Sequence, residues 1–552
     1  MKEVKWYKGK YLQGSLSDKE CEQILYLIEN VSVINELKHC IQDLPKHTIM
    51  DIISHYESYE KEHNGDMSEF KKEYPIVVGD LRDTQTIGVA FMALSKSALL
   101  GDEVGLGKTV QCAGLVNYLS ARYAKEGKPF RYCFLTEKTS INQIRNKMIQ
   151  FTGQYVRMLE SGEQAIVKKY MKSYDNGNHC SIVGGHSLLN SSEFLLHTSK
   201  HPFDLFIIDE SSIIKNTTSD IFKSTQALFK YHERKILLNA TPLEQNVLEF
   251  YNQLNLLDST FLPPLAEFKR RYCLMKQGAF GFTEIAGYKN TEEFKQAVCM
   301  RYLARTRASL GAQYVDNSYK TILVPLSDVQ KKLIKKTTLY SMVHDYPPGV
   351  NRDIPFNVET TPKAGALLYV LSQIDVASGK ALVYCRFIDC QQKLKELLEE
   401  NGYKVAILNG GTKVKEKNAI IDKFLGNNYD VLITNIQRGL DLNNCDNCIM
   451  YTIDPNPQKM VQFEGRMTRD FNVMYKSLYL LVAMGKEKKF VEETLKLRVD
   501  ASDAFVTTGK SMTLSALKKR DNIEMFNGKG VEKDPMLNGG YDPDKSVDKT
   551  KK

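Results

Sequence analysis

The chain has 552 residues, 42% of them hydrophobic and 26% charged, and a formal net charge of +9. That length exceeds one hydrophobic core and predicts a few domains of about 150 residues each. The longest apolar run, SLYLLVAM at 477–484, falls well short of the ~18 residues of a membrane span, and the basic N-terminus lacks the apolar core of a signal peptide. A cytoplasmic protein with no membrane partner is expected, the nucleus remaining open. Eleven cysteines in apolar contexts read as reduced core residues. The lone C-x-x-C of Cys445 and Cys448 has no second pair to complete a zinc site.

Taken in order, residues 1–78 predict a helical accessory region. Ser17 and Glu20 form a capping box, and Ile24, Leu25, Ile28 and Val31 follow at helical spacing. After Pro45, a second amphipathic segment carries Ile49, Ile52, Ile53 and Tyr56. Such a unit can dock on its neighbour or recruit a protein partner through residues 1–75. A first lobe is expected over 79–318. It opens on LRDTQTIGVAFM, where Gln85 is the candidate to read an adenine edge, because an amide donates and accepts at once.

Next comes the stretch LLGDEVGLGKTVQCAGLVNYL, 99–119, in which a short apolar strand meets a turn with Gly105 and Gly107 and then a helical pattern. Strand, phosphate loop, helix is the predicted order. Glycines let backbone N–H groups close on phosphate oxygens, and the helix N-terminus adds its positive dipole end. Lys108 then reaches the β- and γ-phosphates, and the Thr109 hydroxyl holds Mg²⁺. Val110 completes the set at the start of the helix. The full G-x-x-x-x-G-K-T pattern is imperfect: its first position falls on Asp102, with Gly101 one residue early.

The apolar run of FDLFIIDESSIIKN delivers Asp209 and Glu210 to the C-terminal end of a buried parallel strand. Asp209 is the metal candidate; Glu210 is the general base that orients and deprotonates water. A further strand and turn place Asn239 and Thr241 where a sensor between nucleotide and nucleic acid could sit. A helical protrusion is expected over about 259–312, where Phe, Arg and Tyr recur; those side chains either touch phosphates or snorkel over a core. A second lobe is expected over 319–500. In it, Gly402 stops a helix, and Arg466 and Arg469 leave one face of another at i, i+3, as a pair of arginine fingers would. The C-terminal extension, 501–552, is rich in Gly, Pro and charge and reads as disordered from about 527.

These residues resemble the Swi/Snf family of duplex-DNA translocases within helicase superfamily two. DEVGLGKTVQ, DESSIIKN and LLNATPLEQNVLEFYNQLNLL are similar to its motifs I, II and III, and LNGGT with Phe424, RGLDL, DPNP and QFEGRMTR to motifs IV to VI in order, from about 81 to 482. Ser212, Asp441 and Pro455 depart from the family's His, Asn and Trp. The short second-lobe insertion and the lack of a visible histone-reading segment point to a compact prokaryotic or bacteriophage member, acting in the host cytoplasm in the latter case.

The resemblance implies two RecA-like α/β lobes, parallel sheets flanked by helices, with ATP and Mg²⁺ bound and Gly439 and Asp441 contributing to nucleotide binding. It implies a monomeric, nucleic-acid-dependent ATPase that tracks along double-stranded DNA and displaces or remodels bound partners. A strand-separating or branch-migrating helicase, toward which RGLD at 438–441 pulls, is the first alternative. A nucleotide-gated interaction protein of a transcription or repair complex is the second.

Overall fold

The computed structural model describes residues 81–243, 247–277, 283–305, 319–374, 380–412, 414–436, 442, 445–465, 477–495 and 523–533, with isolated positions 54, 58 and 62. The accessory region expected at 1–78 lies outside them but for those three positions. So do Gly439, Asp441, Arg466 and Arg469. Two compact units divide near residue 312.

In chain order the first unit contains β1 (Ser97–Leu100), β2 (Tyr132–Thr136), β3 (Arg157–Leu159), β4 (Ile182–Gly185), β5 (Leu205–Asp209), β6 (Lys235–Leu238), β7 (Cys273–Gln277), β8 (Thr283–Tyr288) and β9 (Tyr302–Leu303). All but β7 and β8 form one sheet in the order β3-β4-β2-β5-β6-β1-β9, with every neighbouring pair parallel. Continuous apolar runs make these strands because helices cover both faces. Thus Phe206 and Ile208 of β5 enter one core cluster while Leu205 and Ile207 enter the other, and Leu99 of β1 separates from Ala98 and Leu100 in the same way. Each such leucine, isoleucine or phenylalanine stabilises the unit by ~1.5–3 kcal/mol.

The stretch expected as a helical protrusion is mixed. Helices Leu265–Tyr272 and Thr291–Val298 flank the antiparallel ribbon of β7 and β8, and β9 then rejoins the main sheet beside β1. Four of its described aromatic residues are core: Phe268, Tyr272 and Phe294 pack edge-on or tilted with ring centroids 5.1–5.6 Å apart, and Tyr302 meets Phe250 of the preceding helix at 4.8 Å. Burial of those rings removes them as nucleic-acid contacts, while the Arg270 side chain stays 79% exposed.

The second unit holds β10 (Tyr319–Val324), β11 (Lys380–Tyr384), β12 (Val405–Leu408), β13 (Val431–Thr434), β14 (Cys445–Met450), β15 (Ser477–Ala483), β16 (Ile523–Phe526) and β17 (Val531–Lys533). They form one sheet ordered β12-β13-β11-β14-β15-β10-β16-β17, parallel except for the last pair. Gly402, at φ +89°, ends the helix Ile388–Glu400 and donates its N–H to the Glu399 carbonyl at 3.0 Å. Cys445 and Cys448 are buried on β14. The buried Lys363 ammonium lies 2.7 Å from Asp345 and 2.8 Å from Glu487, tying three elements together.

Of the stretch expected to be disordered from about 527, residues 527–533 are ordered, and 534–552 lie outside the described residues. Residues 527–530 make a turn in which the Asn527 side-chain oxygen accepts from the N–H groups of Lys529 and Gly530 at 3.0 and 2.8 Å, and β17 pairs back on β16. Phe526 and Val531 supply the apolar anchors that a composition-based reading undervalues, since both pack on the core beneath β10.

Candidate nucleotide site

The C-terminal ends of β1, β2, β5 and β6 collect the polar residues of the first unit. From β1 the chain enters a loop whose Gly105 and Gly107 have φ of +91° and +82°, and Gly107 is the N-cap of the helix Lys108–Lys125. A side chain at Gly107 would also collide with Gln85, because its Cβ would lie 2.6 Å from the Gln85 amide nitrogen. Glycine there satisfies both conditions. Lys108 heads the helix and curls back over the loop, donating to the carbonyls of Asp102 at 2.6 Å and Glu103 at 3.4 Å. Burial pulls its pKa below the usual lysine range, opposed by the charges of Glu210, Asp102, Asp209 and Glu103. Thr109 and Val110 follow in the first turn, half-buried.

Gln85 is itself buried, and its side-chain oxygen accepts from the Arg82 N–H at 3.1 Å. It braces the loop from the helix Asp83–Ser95 with one end of its amide already engaged.

Asp209 closes β5. Its carboxylate accepts from the Thr136 hydroxyl at 3.1 Å, and its carbonyl accepts from Nε2 of His186 at 2.8 Å. Burial, and then the neighbouring Glu210 charge, push the Asp209 pKa up to about 7. Glu210 turns the chain at φ +50° and ψ +53°, a left-handed conformation for a side-chain-bearing residue. Such strain costs ~1–3 kcal/mol and clusters at functional positions. Two crowded carboxyls beside threonine hydroxyls are hard oxygen donors, suited to a divalent cation such as Mg²⁺. Among the described residues no group of three or more His, Cys, Asp or Glu side chains is placed to hold a metal by itself.

Motif residues after β6 join this edge through Gln253 on the helix Val247–Leu257. Ser211 donates to its side-chain oxygen at 2.6 Å, the Asn239 amide donates to the same atom at 3.3 Å, and its own amide donates to the carbonyls of Pro242 and Glu249 at 2.7 and 3.0 Å. Asn239 in turn accepts from the Thr241 N–H at 2.9 Å. Lys215 pairs with Glu249 at 3.1 Å. The structure therefore brings together Gln85, Gly105, Gly107, Lys108, Thr109, Val110, Asp209 and Glu210 in one unit. Thr136, His186 and Gln253 were not foreseen; a polar residue ending an apolar run was the available signal for Thr136.

A parallel sheet with a glycine loop, a half-buried lysine at the head of the following helix and paired strand-end carboxylates defines a nucleotide phosphate-binding α/β protein. Residues 84–347 match the SNF2-related domain and residues 363–470 the helicase conserved C-terminal domain, so the chain carries these two domains in succession. It is similar to Protein CHROMATIN REMODELING 4 of Arabidopsis thaliana, 22% identical over 79% of this chain and 21% of that one. It is also similar to the SWI/SNF-related matrix-associated actin-dependent regulator of chromatin subfamily A-like protein 1 of Drosophila melanogaster, 23% identical over 72% of this chain and 52% of the relative. DNA repair and recombination protein RAD54B of Mus musculus is 23% identical over 74% and 54% of the two chains. The chain thus spans from a fifth to about half of these relatives' length. A solved structure titled Sulfolobus solfataricus SWI2/SNF2 ATPase core in complex with dsDNA aligns at 18% identity and a TM-score of 0.38, covering 80% of this chain and 97% of that one. Among the described residues no helix is long and apolar enough to cross a membrane.

Proposed function

We propose that this chain is an ATP-driven translocase on double-stranded DNA that displaces or remodels what is bound there. The observation that carries the reading is the convergence of Lys108 and the Asp209–Glu210 pair on one sheet edge, with Gln253 wiring the residue after that pair to Asn239. Lys108 neutralises phosphate charge, and Glu210 orients and deprotonates the attacking water. Thr109 and Asp209 would hold Mg²⁺, which when bound supplies charge neutralisation at the phosphates. Arg466 and Arg469 are proposed as arginine fingers, and Gly439 and Asp441 as further nucleotide contacts. The named relatives act in chromatin remodelling and in DNA repair and recombination, which favours duplex DNA over RNA. A monomer, a cytoplasmic location, a compact prokaryotic or bacteriophage origin and a protein partner held through residues 1–75 belong to the same proposal.

The test is ATP turnover alone and with duplex DNA, single-stranded DNA or RNA, followed by displacement of a third strand wound on a duplex. Duplex stimulation and third-strand release without fork unwinding are expected. Efficient fork unwinding, with single strands the better activator, would favour the strand-separating reading to which RGLD at 438–441 points. No stimulation by any nucleic acid would leave a nucleotide-gated interaction protein.

A further inference from the structure

Behind the phosphate loop lies a buried ion pair between residues 203 positions apart in the chain. Arg305, which follows β9, donates from its backbone N–H and from Nε to one oxygen of Asp102 at 3.1 and 3.0 Å, and from Nη2 to the other oxygen. The Asp102 side chain is fully buried and that of Arg305 is only 10% exposed. Gln111, one helical turn into the loop's helix, completes the cluster. Its amide nitrogen donates to Asp102 at 2.9 Å and to the Leu106 carbonyl at 3.5 Å, while its oxygen accepts from Arg305 at 2.9 Å. Arg305 also donates to the Thr84 carbonyl, one residue before Gln85.

The space around the cluster is filled. A Cβ at Gly88 would sit 1.7 Å from the Gln111 side-chain oxygen, and one at Gly101 would sit 2.5 Å from the Tyr302 ring. The loop is consequently held from behind at its root, Asp102, and at its crest, Leu106. The Asp102 carbonyl is also the acceptor on which Lys108 rests. Buried ion pairs add little net stability over an apolar replacement of similar shape. Stability alone therefore does not account for a planar fork aimed at the start of this loop.

We propose that Arg305 is a positioning residue for nucleotide binding. It fixes the phosphate loop through Asp102 and Gln111, and it cancels a carboxylate charge that would otherwise lie buried beside incoming phosphates. The proposal rests on the reading of the first unit as an ATP site. The edge strand β9 would then be part of the nucleotide machinery.

The experiment compares the wild-type chain, Arg305→Lys and the double variant Asp102→Asn/Arg305→Met. It measures melting temperature without nucleotide, calorimetric affinity for ATP with Mg²⁺, and KM and kcat for hydrolysis. The double variant removes both charges together, so its melting temperature should stay near that of the wild type. Its ATP affinity should fall at least tenfold, with KM rising more than kcat falls. Arg305→Lys keeps the charge and loses the fork; a folded protein with a raised KM is expected. Wild-type affinity in the folded double variant, or wild-type KM in Arg305→Lys should the double variant not fold, would overturn the proposal and make the pair structural. Failure of the wild-type chain itself to bind ATP would instead bring down the reading beneath it.

Discussion

Ser211 donates its hydroxyl hydrogen to the side-chain oxygen of Gln253 at 2.6 Å, across 42 positions of sequence. The bond ties the turn that follows the Asp209–Glu210 pair to the helix that follows Asn239 and Thr241. Both residues are buried, so neither can exchange its partner for water without opening the fold. Gln253→Met keeps the length and removes every hydrogen bond. It should lower stability by about 1–3 kcal/mol in urea unfolding and reduce duplex stimulation of ATP turnover more than basal turnover. Equal losses in both rates would place Gln253 in the fold alone.

Glu210 and Lys108 separate chemistry from binding. Glu210→Gln should retain ATP while hydrolysis drops on the order of a hundredfold or more, as for a missing general base. Lys108→Ala should weaken ATP binding itself. Filter binding and single-turnover hydrolysis measure the two quantities independently, and near-normal turnover in Glu210→Gln would assign the base elsewhere.

His232 provides a pH signature for the first unit. It is buried, packs edge-on against Phe206 with ring centroids 4.9 Å apart, and donates from Nδ1 to the Leu228 carbonyl at 3.0 Å. Burial pulls its pKa down from 6.5 to about 4. The unfolded chain binds this proton at a higher pH than the folded one does. The stabilisation is therefore complete above pH 6.5 and lost as pH falls toward 4, by about 3 kcal/mol over that window. Unfolding in urea at pH 7.5 and pH 5 should show the loss in the wild type and a flatter profile in His232→Leu. Identical slopes in the two proteins would remove His232 as the source.

In the second unit, the buried Lys363 ammonium pairs with both Asp345 and Glu487 and also reaches the Tyr451 carbonyl at 3.1 Å. Lys363→Met leaves two buried carboxyls without their counter-charge. The expected cost is about 3–5 kcal/mol, read as a lower urea midpoint. The triple change with Asp345→Asn and Glu487→Gln should recover most of it. No loss in the single variant would mean that one carboxyl is already neutral in the folded protein.

Much of the site was legible in the sequence because its parts are local. The glycine loop between an apolar strand and a helix, 99–119, and the apolar run ending at Asp209 and Glu210 each follow from backbone rules acting within a few residues: alternation across a covered sheet, φ above zero at Gly105 and Gly107, a lysine at the head of a helix. What only the tertiary structure decided was which distant residues support those parts. Thr136 meets Asp209 across 73 positions, and Arg305 meets Asp102 across 203. The glycine pattern marked Asp102 as a flaw, whereas the fold makes it the anchor of the loop. For the aromatic residues from Phe261 on, spacing left contact and core equally open, and the fold buries Phe268, Tyr272, Phe294 and Tyr302 in one core cluster, while Phe526 and Val531 turned a stretch of disordered composition into a hairpin. Composition and spacing register what a residue can do. The order in which parallel strands lie side by side settles which neighbours it has, and in a parallel sheet those neighbours come from far along the chain.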